Sequence, residues 1–136
     1  MFLLDTNVVS ELRKPRADPR VRRWAASVAA ASLFLSVISV LELETGVLRI
    51  ERRDARQGEA LRHWLETQVL TSFAERILPV DVAVAQCCAR LHVPNRMAEG
   101  VALIAATARV HALTLVTRNT GDFKRAGIEL LDPWQA

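Results

Sequence analysis

Three of the fifteen acidic side chains in this 136-residue sequence stand where a chemical site is easiest to assemble. Asp5 directly follows the apolar run Phe2-Leu3-Leu4. Asp122 ends the loop Thr117-Arg118-Asn119-Thr120-Gly121-Asp122, which follows Leu113-Thr114-Leu115-Val116. In an open parallel sheet the ligand crevice lies outside the carboxyl ends of the strands, so polar residues just after buried strands are the first candidates. Glu42 differs: it sits between Leu41 and Leu43, one turn into an expected helix. Taken alone, each acid has a structural explanation, Asp5 as a helix cap, Glu42 as the capping-box partner of Ser39, and Asp122 as a turn former. Together they imply more. Carboxylates converging at one sheet edge repel one another and have raised pKa values unless a divalent cation neutralises them. Such an oxygen-only site suits Mg²⁺ or Mn²⁺, which activate water for attack on a phosphodiester and offset charge on the leaving oxygen.

Other chemistry-bearing residues carry less. Cys87 and Cys88 are adjacent, matching neither a disulfide framework nor a CxxC pair, and read as two reduced, buried thiols. His63, His92 and His111 are read as sharing no ligand spacing with one another or with the cysteines, which argues against zinc. No GxGxxG or P-loop glycine pattern follows a strand, which argues against a nucleotide-binding domain. Trp24, Trp64 and Trp134 could stack on unpaired bases, but core or interface packing is the expected use of each.

The elements that must position the acids follow from the apolar pattern. Short runs at Phe2–Leu4, Leu33–Val37, Leu113–Val116 and Ile128–Leu131 read as strands, and Ile77–Val80 as a short extended piece. Between them, helices are expected over Val8–Leu12, from Asp18-Pro19 to about Ala30, from a Ser39 cap through Leu48, over Gln57–Leu70, from an Asp81 cap to Leu91, and over Val101–His111. Strands that alternate with helices and are solidly apolar argue for an α/β fold whose parallel sheet is covered on both faces.

The composition bounds the whole. A chain 51% hydrophobic, with five Gly, five Pro, no repeat and no linker, reads as a single domain over residues 1–136. The stretch Ala25–Leu41 is uncharged but falls short of a membrane span, and no secretory signal follows Met1, so a cytoplasmic protein is expected. The net charge of +3 tolerates a polyanionic partner without requiring one. Six of the eighteen basic residues lie between Arg13 and Arg23, where phosphate contact and a solvated face weigh equally. In the second basic group, Arg49, Arg52, Arg53, Arg56 and Arg62 are interleaved with Glu51, Asp54, Glu59 and Glu66, and read as helical ion pairs.

Four short blocks extend this reading: MFLLDTN (Met1–Asn7), ISVLELETG (Ile38–Gly46), LIAATA (Leu103–Ala108) and LVTRNTGDF (Leu115–Phe123). In type, order and spacing they resemble the signature blocks of PIN-domain ribonucleases of the VapC toxin class, including the FitB type. The likeness continues to Leu131-Asp132-Pro133-Trp134. The resemblance implies a three-layer α/β/α fold around a central parallel sheet and Mg²⁺-dependent endoribonuclease activity. It also implies a place in a type II toxin-antitoxin system, with a VapB-like antitoxin as partner and a homodimer or toxin-antitoxin hetero-oligomer as the assembly. Asp5, Glu42 and Asp122 match three of the family's four acidic positions, as catalytic residues and metal ligands. Thr6, Asn7, Thr117 and Asn119 match the polar residues that support them.

The fourth acidic position is Val101, directly before the Ala102-Leu103-Ile104 run, and an isopropyl group ligates no metal. Glu99 is nearby, but two residues along a helix turn a side chain by about 200°, so it substitutes only if the helix begins later. Three accounts stay open: a weakened nuclease, a substitution made or selected to spare the expression host, or sufficiency of the three remaining acids for one metal. The alternative function is a catalytically silent PIN-fold protein that binds an antitoxin or RNA without hydrolysis.

Overall fold

The computed structural model describes all 136 residues. Its centre is β1 (Phe2–Leu4), which pairs in parallel with β2 (Leu33–Ser36) on one side and β4 (Thr114–Val116) on the other. β3 (Ile77–Leu78) extends the sheet beyond β2, and β5 (Leu130–Leu131) extends it beyond β4. The order β3-β2-β1-β4-β5 means that the chain winds outward in one direction and then returns to wind in the other. The reversal leaves a crevice at the carboxyl ends of β1 and β4, the position at which doubly wound sheets bind ligands.

Alternate strand residues face opposite layers, as a two-residue period requires. Leu4, Leu35 and Val116 join Val8, Val21, Leu43, Val47 and Leu65 in one core. That core is roofed by α1 (Thr6–Arg13), α2 (Pro19–Ala26), α3 (Val37–Arg53) and α4 (Ala55–Trp64). Leu3 and Leu115 join Ile104, Ala105, Ala108 and Phe123 in the other. A third cluster, around Val84, Cys87, Cys88 and Ala102, fills the contact between the two remaining long helices, α6 (Val82–Leu91) and α7 (Glu99–Val110). The expected three-layer α/β/α architecture is therefore present, with small alanines letting α7 lie close on the sheet.

Several boundaries differ from the sequence expectation. α2 stops at Ala26, because the Ser27 hydroxyl donates to the Trp24 carbonyl and a 3₁₀ turn over Ala30–Ser32 intervenes before β2. β2 ends at Ser36, whose Oγ accepts the Ile38 N–H and caps α3. Ser39 is thus a residue inside the helix and not its cap. The helix expected over Gln57–Leu70 starts at Ala55 under an Asp54 cap and widens into a π turn over Leu65–Val69 before α5 (Leu70–Ser72). β5 is shorter than expected, and α8 (Thr120–Phe123) fills the loop after β4. α7 begins at Glu99, two residues before the expected start.

Candidate active site

A cavity of about 560 Å³ opens at the β1–β4 crevice. Its wall includes Asp5, Glu42, Asp122 and Val101 together with Thr6, Asn7 and Asn119. Asp5 reaches it from the end of β1 and is only 8% exposed. One oxygen, Oδ1, accepts the Thr6 N–H at 2.8 Å, so the residue does cap α1, while Oδ2 accepts the Thr117 hydroxyl at 2.8 Å. Thr117 is buried and also accepts the Asn119 N–H at 3.0 Å. Asn7 Nδ2 donates weakly to both Asp5 and Thr117, at 3.5 and 3.4 Å. These bonds tie the loops after β1 and β4 together and fix the Asp5 carboxylate. Burial nevertheless pushes the Asp5 carboxyl above its ordinary range, against the lowering effect of the Thr117 and Thr6 bonds, and the nearby charges of Glu42 and Asp122 add to the rise.

Glu42 comes from the second turn of α3. The Thr6 hydroxyl is shared between Glu42 Oε1 and Ser39 Oγ, the latter at 2.9 Å. Glu42 is therefore no capping-box acid, since its carboxylate is held by a side chain on another helix. Its second oxygen lies against α7, where a Cβ built on Gly100 would be 3.3 Å from Oε2. Val101 follows Gly100 in this first turn, half-buried and packed against the Ile104 and Ala102 cores. Asp122 sits in the first turn of α8, and its carboxylate accepts no hydrogen bond from the protein. Glu99 turns the other way, toward Arg96 Nη2 at 3.4 Å and His92 Nε2 at 3.6 Å, and is absent from the cavity wall. α7 starts earlier than expected, whereas a substitution of Glu99 for Val101 would need it to start later.

Sequence reasoning missed other parts of the wall: Ser10, Glu11, Lys14, Arg118 and Trp134. Once α1 is known to begin at Thr6, the spacing Asn7, Ser10, Glu11, Lys14 is a single helical face, and that periodicity was the available signal. The buried Ser39 hydroxyl was also missed, because it was read as a cap. Trp134 is 5% exposed and packs in the first core, as expected, but it also carries the Arg118 guanidinium at 5.1 Å from its ring centroid. Of the two cations of the cavity, Lys14 pairs with Glu11 at 3.1 Å, while Arg118 stacks on this ring with its charge unpaired. Of the four carboxylates on the wall, Glu11 is paired with Lys14, and Asp5, Glu42 and Asp122 make no ion pair with a basic side chain. The oxygens left over, both from Asp122 and one from Glu42, form a hard donor set that fits Mg²⁺ or Mn²⁺.

A second group of potential ligands was overlooked. Cys88, His92 and Glu99 bring Sγ, Nε2 and a carboxylate oxygen within 4.8 Å of one another, and Cys88 and His92 have the i, i+4 spacing denied them in the sequence reading. The Met97 N–H, however, donates to His92 Nδ1 at 3.1 Å. That bond places the ring proton on Nε2, the atom facing Cys88 and Glu99, and a metal there would leave the ring with no N–H. The cluster is better satisfied as a hydrogen-bonded lock between α6 and the start of α7. Burial raises the Cys88 thiol pKa, with the Glu99 charge adding to it, as befits an inert sulfur.

The basic groups divide unevenly. Arg13 lies over the Trp64 ring, Arg20 pairs with Asp18 at 3.0 Å, and Arg22 donates to the Lys14 and Pro15 carbonyls. In the second group only Arg62 is paired, to Glu44, Glu51 and Glu66. Arg49, Arg52, Arg53 and Arg56 are exposed and make no ion pair or side-chain hydrogen bond, contrary to the expected interleaved pairing.

Comparison with known proteins follows the same lines. The PIN domain family profile matches residues 2–129. Toxin FitB of Neisseria gonorrhoeae is 38% identical over 139 residues, covering 98% of this chain and 99% of its own. VapC ribonuclease Y4jK of Sinorhizobium fredii is 34% identical over 140 residues, covering 99% of each. The crystal structure of FitAcB from Neisseria gonorrhoeae superposes with a TM-score of 0.92 over 100% of both chains, at 38% identity. No helix of this chain is long and apolar enough to cross a membrane.

Proposed function

Because this chain belongs to the PIN-domain family, we propose that it is a ribonuclease toxin of the VapC/FitB type, cleaving RNA phosphodiesters with a carboxylate-bound Mg²⁺ and attenuated by Val101. The observation that carries this reading is the convergence of Asp5, Glu42 and Asp122 on one cavity, none of them in an ion pair with a basic side chain. These three residues would hold the cation. Bound there, Mg²⁺ or Mn²⁺ would supply charge neutralisation at the phosphate and a more acidic water.

The chain's own residues do the positioning. Thr117 and the Thr6 N–H orient Asp5 at the cavity wall. Thr6, itself bonded to Ser39, holds one Glu42 oxygen and leaves the other free toward Gly100. Asn7 bonds across to Thr117 and so joins the two loops that carry Asp5 and Asp122, while the Asn119 N–H bonds Thr117 within the second loop. A toxin of this type acts in the cytoplasm and is restrained by a VapB-like antitoxin, a pairing supported by the relatives named toxin and ribonuclease.

Val101 stands beside Glu42 on the cavity wall, so an aspartate at that position would add its carboxylate to the same cation. The test is cleavage of a mixed RNA substrate by the purified chain and by Val101→Asp, each with Mg²⁺, with Mn²⁺ and with chelator. Cleavage that appears or rises at least tenfold in Val101→Asp, and stops with chelator, is the expected result. If neither form cuts RNA although both fold, the chain is a PIN-fold binding protein and the nuclease reading is abandoned.

A further inference from the structure

The unpaired arginines of α3 are in register with the carboxylate site. Seven residues separate Glu42 from Arg49, which is about 10 Å along the helix axis and about 20° short of two full turns. Eleven separate it from Arg53, about 16 Å along and about 20° past three turns. Glu42, Arg49 and Arg53 therefore lie along one stripe of α3. Gly46 lies between Glu42 and Arg49, and a Cβ built there would meet nothing within 4 Å, so the stripe is open at its middle. Gly46, Arg49, Ile50, Arg52 and Arg53 frame a shallow, solvent-open groove between side chains on this half of the helix surface.

The helix dipole favours cations in a last turn and so accounts for Arg52 and Arg53, but Arg49 lies a turn earlier. Intrahelical pairing does not account for them either, because Glu44, Glu51 and Glu66 are taken by Arg62 on the opposite side of the groove's ridge. What remains is a row of exposed, uncommitted guanidiniums leading away from the acidic cavity, each a bidentate match for a phosphate. We propose that this groove is a phosphate track, in which Arg49 and Arg53, flanked by Arg52, hold the RNA strand as it leaves the carboxylate cavity over Gly46. The inference rests on the nuclease reading for its ligand. A single-stranded polyanion is favoured over an acidic protein segment because planar guanidiniums in an exposed, unpaired row match phosphates bidentately and the row begins beside the carboxylate cavity.

Binding separates this inference from catalysis. A fluorescently labelled single-stranded RNA is titrated by anisotropy in chelator, where no hydrolysis occurs, against the native chain, Arg49→Gln/Arg53→Gln and Arg49→Lys/Arg53→Lys, over a salt series. The Gln pair is expected to bind about tenfold more weakly. Its log–log salt slope should be smaller by about 1.4, which is two phosphate contacts at about 0.7 each. The Lys pair keeps the charge and most of the affinity. Equal affinity and slope for the native chain and the Gln pair would overturn the track, as would failure of the native chain to bind RNA. Polyglutamate competing as well as RNA at equal charge would also overturn it, transferring the groove to an acidic protein partner. None of these outcomes touches the Val101→Asp cleavage result, so the two readings fail separately.

Discussion

Asp5 serves two opposing ends. As the cap of α1 and the acceptor of the Thr117 hydroxyl it contributes to the fold, yet as a buried carboxylate facing two others it is held above its ordinary pKa. A raised folded-state pKa means that the unfolded chain ionises more readily, so at neutral pH the charged form of Asp5 costs stability in the absence of a cation. Asp5→Asn removes that cost and its oxygen keeps the Thr6 N–H, although its amide must donate to Thr117 where the carboxylate accepted. In chelator the Asn variant should therefore melt higher than the native chain. The difference should shrink as the pH falls through the folded pKa of Asp5, where the native carboxyl becomes neutral as well. Mg²⁺ should raise the Tm of the native chain and leave the variant nearly unmoved, as binding linkage requires. Thermal melts at several pH values, with and without Mg²⁺, read all three effects, and a native chain that outlasts Asp5→Asn in chelator would refute the argument.

At the scale of elements, four of the five strands were legible because buried parallel strands read as short apolar runs closed by capping residues, whereas β3 read only as an extended piece and the strand order came from the structure. Asp5 and Asp122 were legible as candidates for the same reason, since each directly follows such a run or its loop. The helix starts were harder. Ser36 and Ser39 are both good caps, and only the packing of Ser39 against Thr6 distinguishes them. Glu99 and Gly100 look like loop, and only the docking of α7 against Glu42 shows that the helix already includes them. The α3–α4 contact was invisible in sequence, although one residue decides it. A Cβ on Gly58 would lie 2.6 Å from both Cα and Cγ of Glu51, so the two helices touch backbone to backbone there. Gly58→Ala should force them apart at a cost of about 1–3 kcal/mol, with the Arg62 pairs stretched as a consequence. Gly46→Ala, on the open side of the same helix, should instead gain up to about 1 kcal/mol from helix propensity. Chemical denaturation of the two variants checks the contrast, and a Gly58→Ala chain as stable as the native one would show that α4 slides without penalty.

Across the whole molecule, the first strand and the last turn meet at one place. β1 lies at the middle of the sheet and delivers Asp5, while the 3₁₀ turn Pro133–Gln135 folds back so that Trp134 enters the first core and its rim faces the cavity. The Asp132 carboxylate accepts the Trp134 N–H at 2.9 Å and fixes that turn. Trp134 is thus both a core residue and the platform for Arg118, and its two duties can be separated. Trp134→Ala should cost about 3–5 kcal/mol. That is a large share of the roughly 5–15 kcal/mol that holds a domain together, so the variant should unfold at a much lower denaturant midpoint. Trp134→Leu keeps most of the apolar contact and loses the ring, so its midpoint should fall less while RNA affinity in chelator drops, because Arg118 is no longer held at the cavity mouth. If Trp134→Ala unfolds at the native midpoint, the terminal turn is an appendage to an independently stable core. If Trp134→Leu binds RNA as the native chain does, Arg118 keeps its place by its own backbone, and the ring serves packing alone.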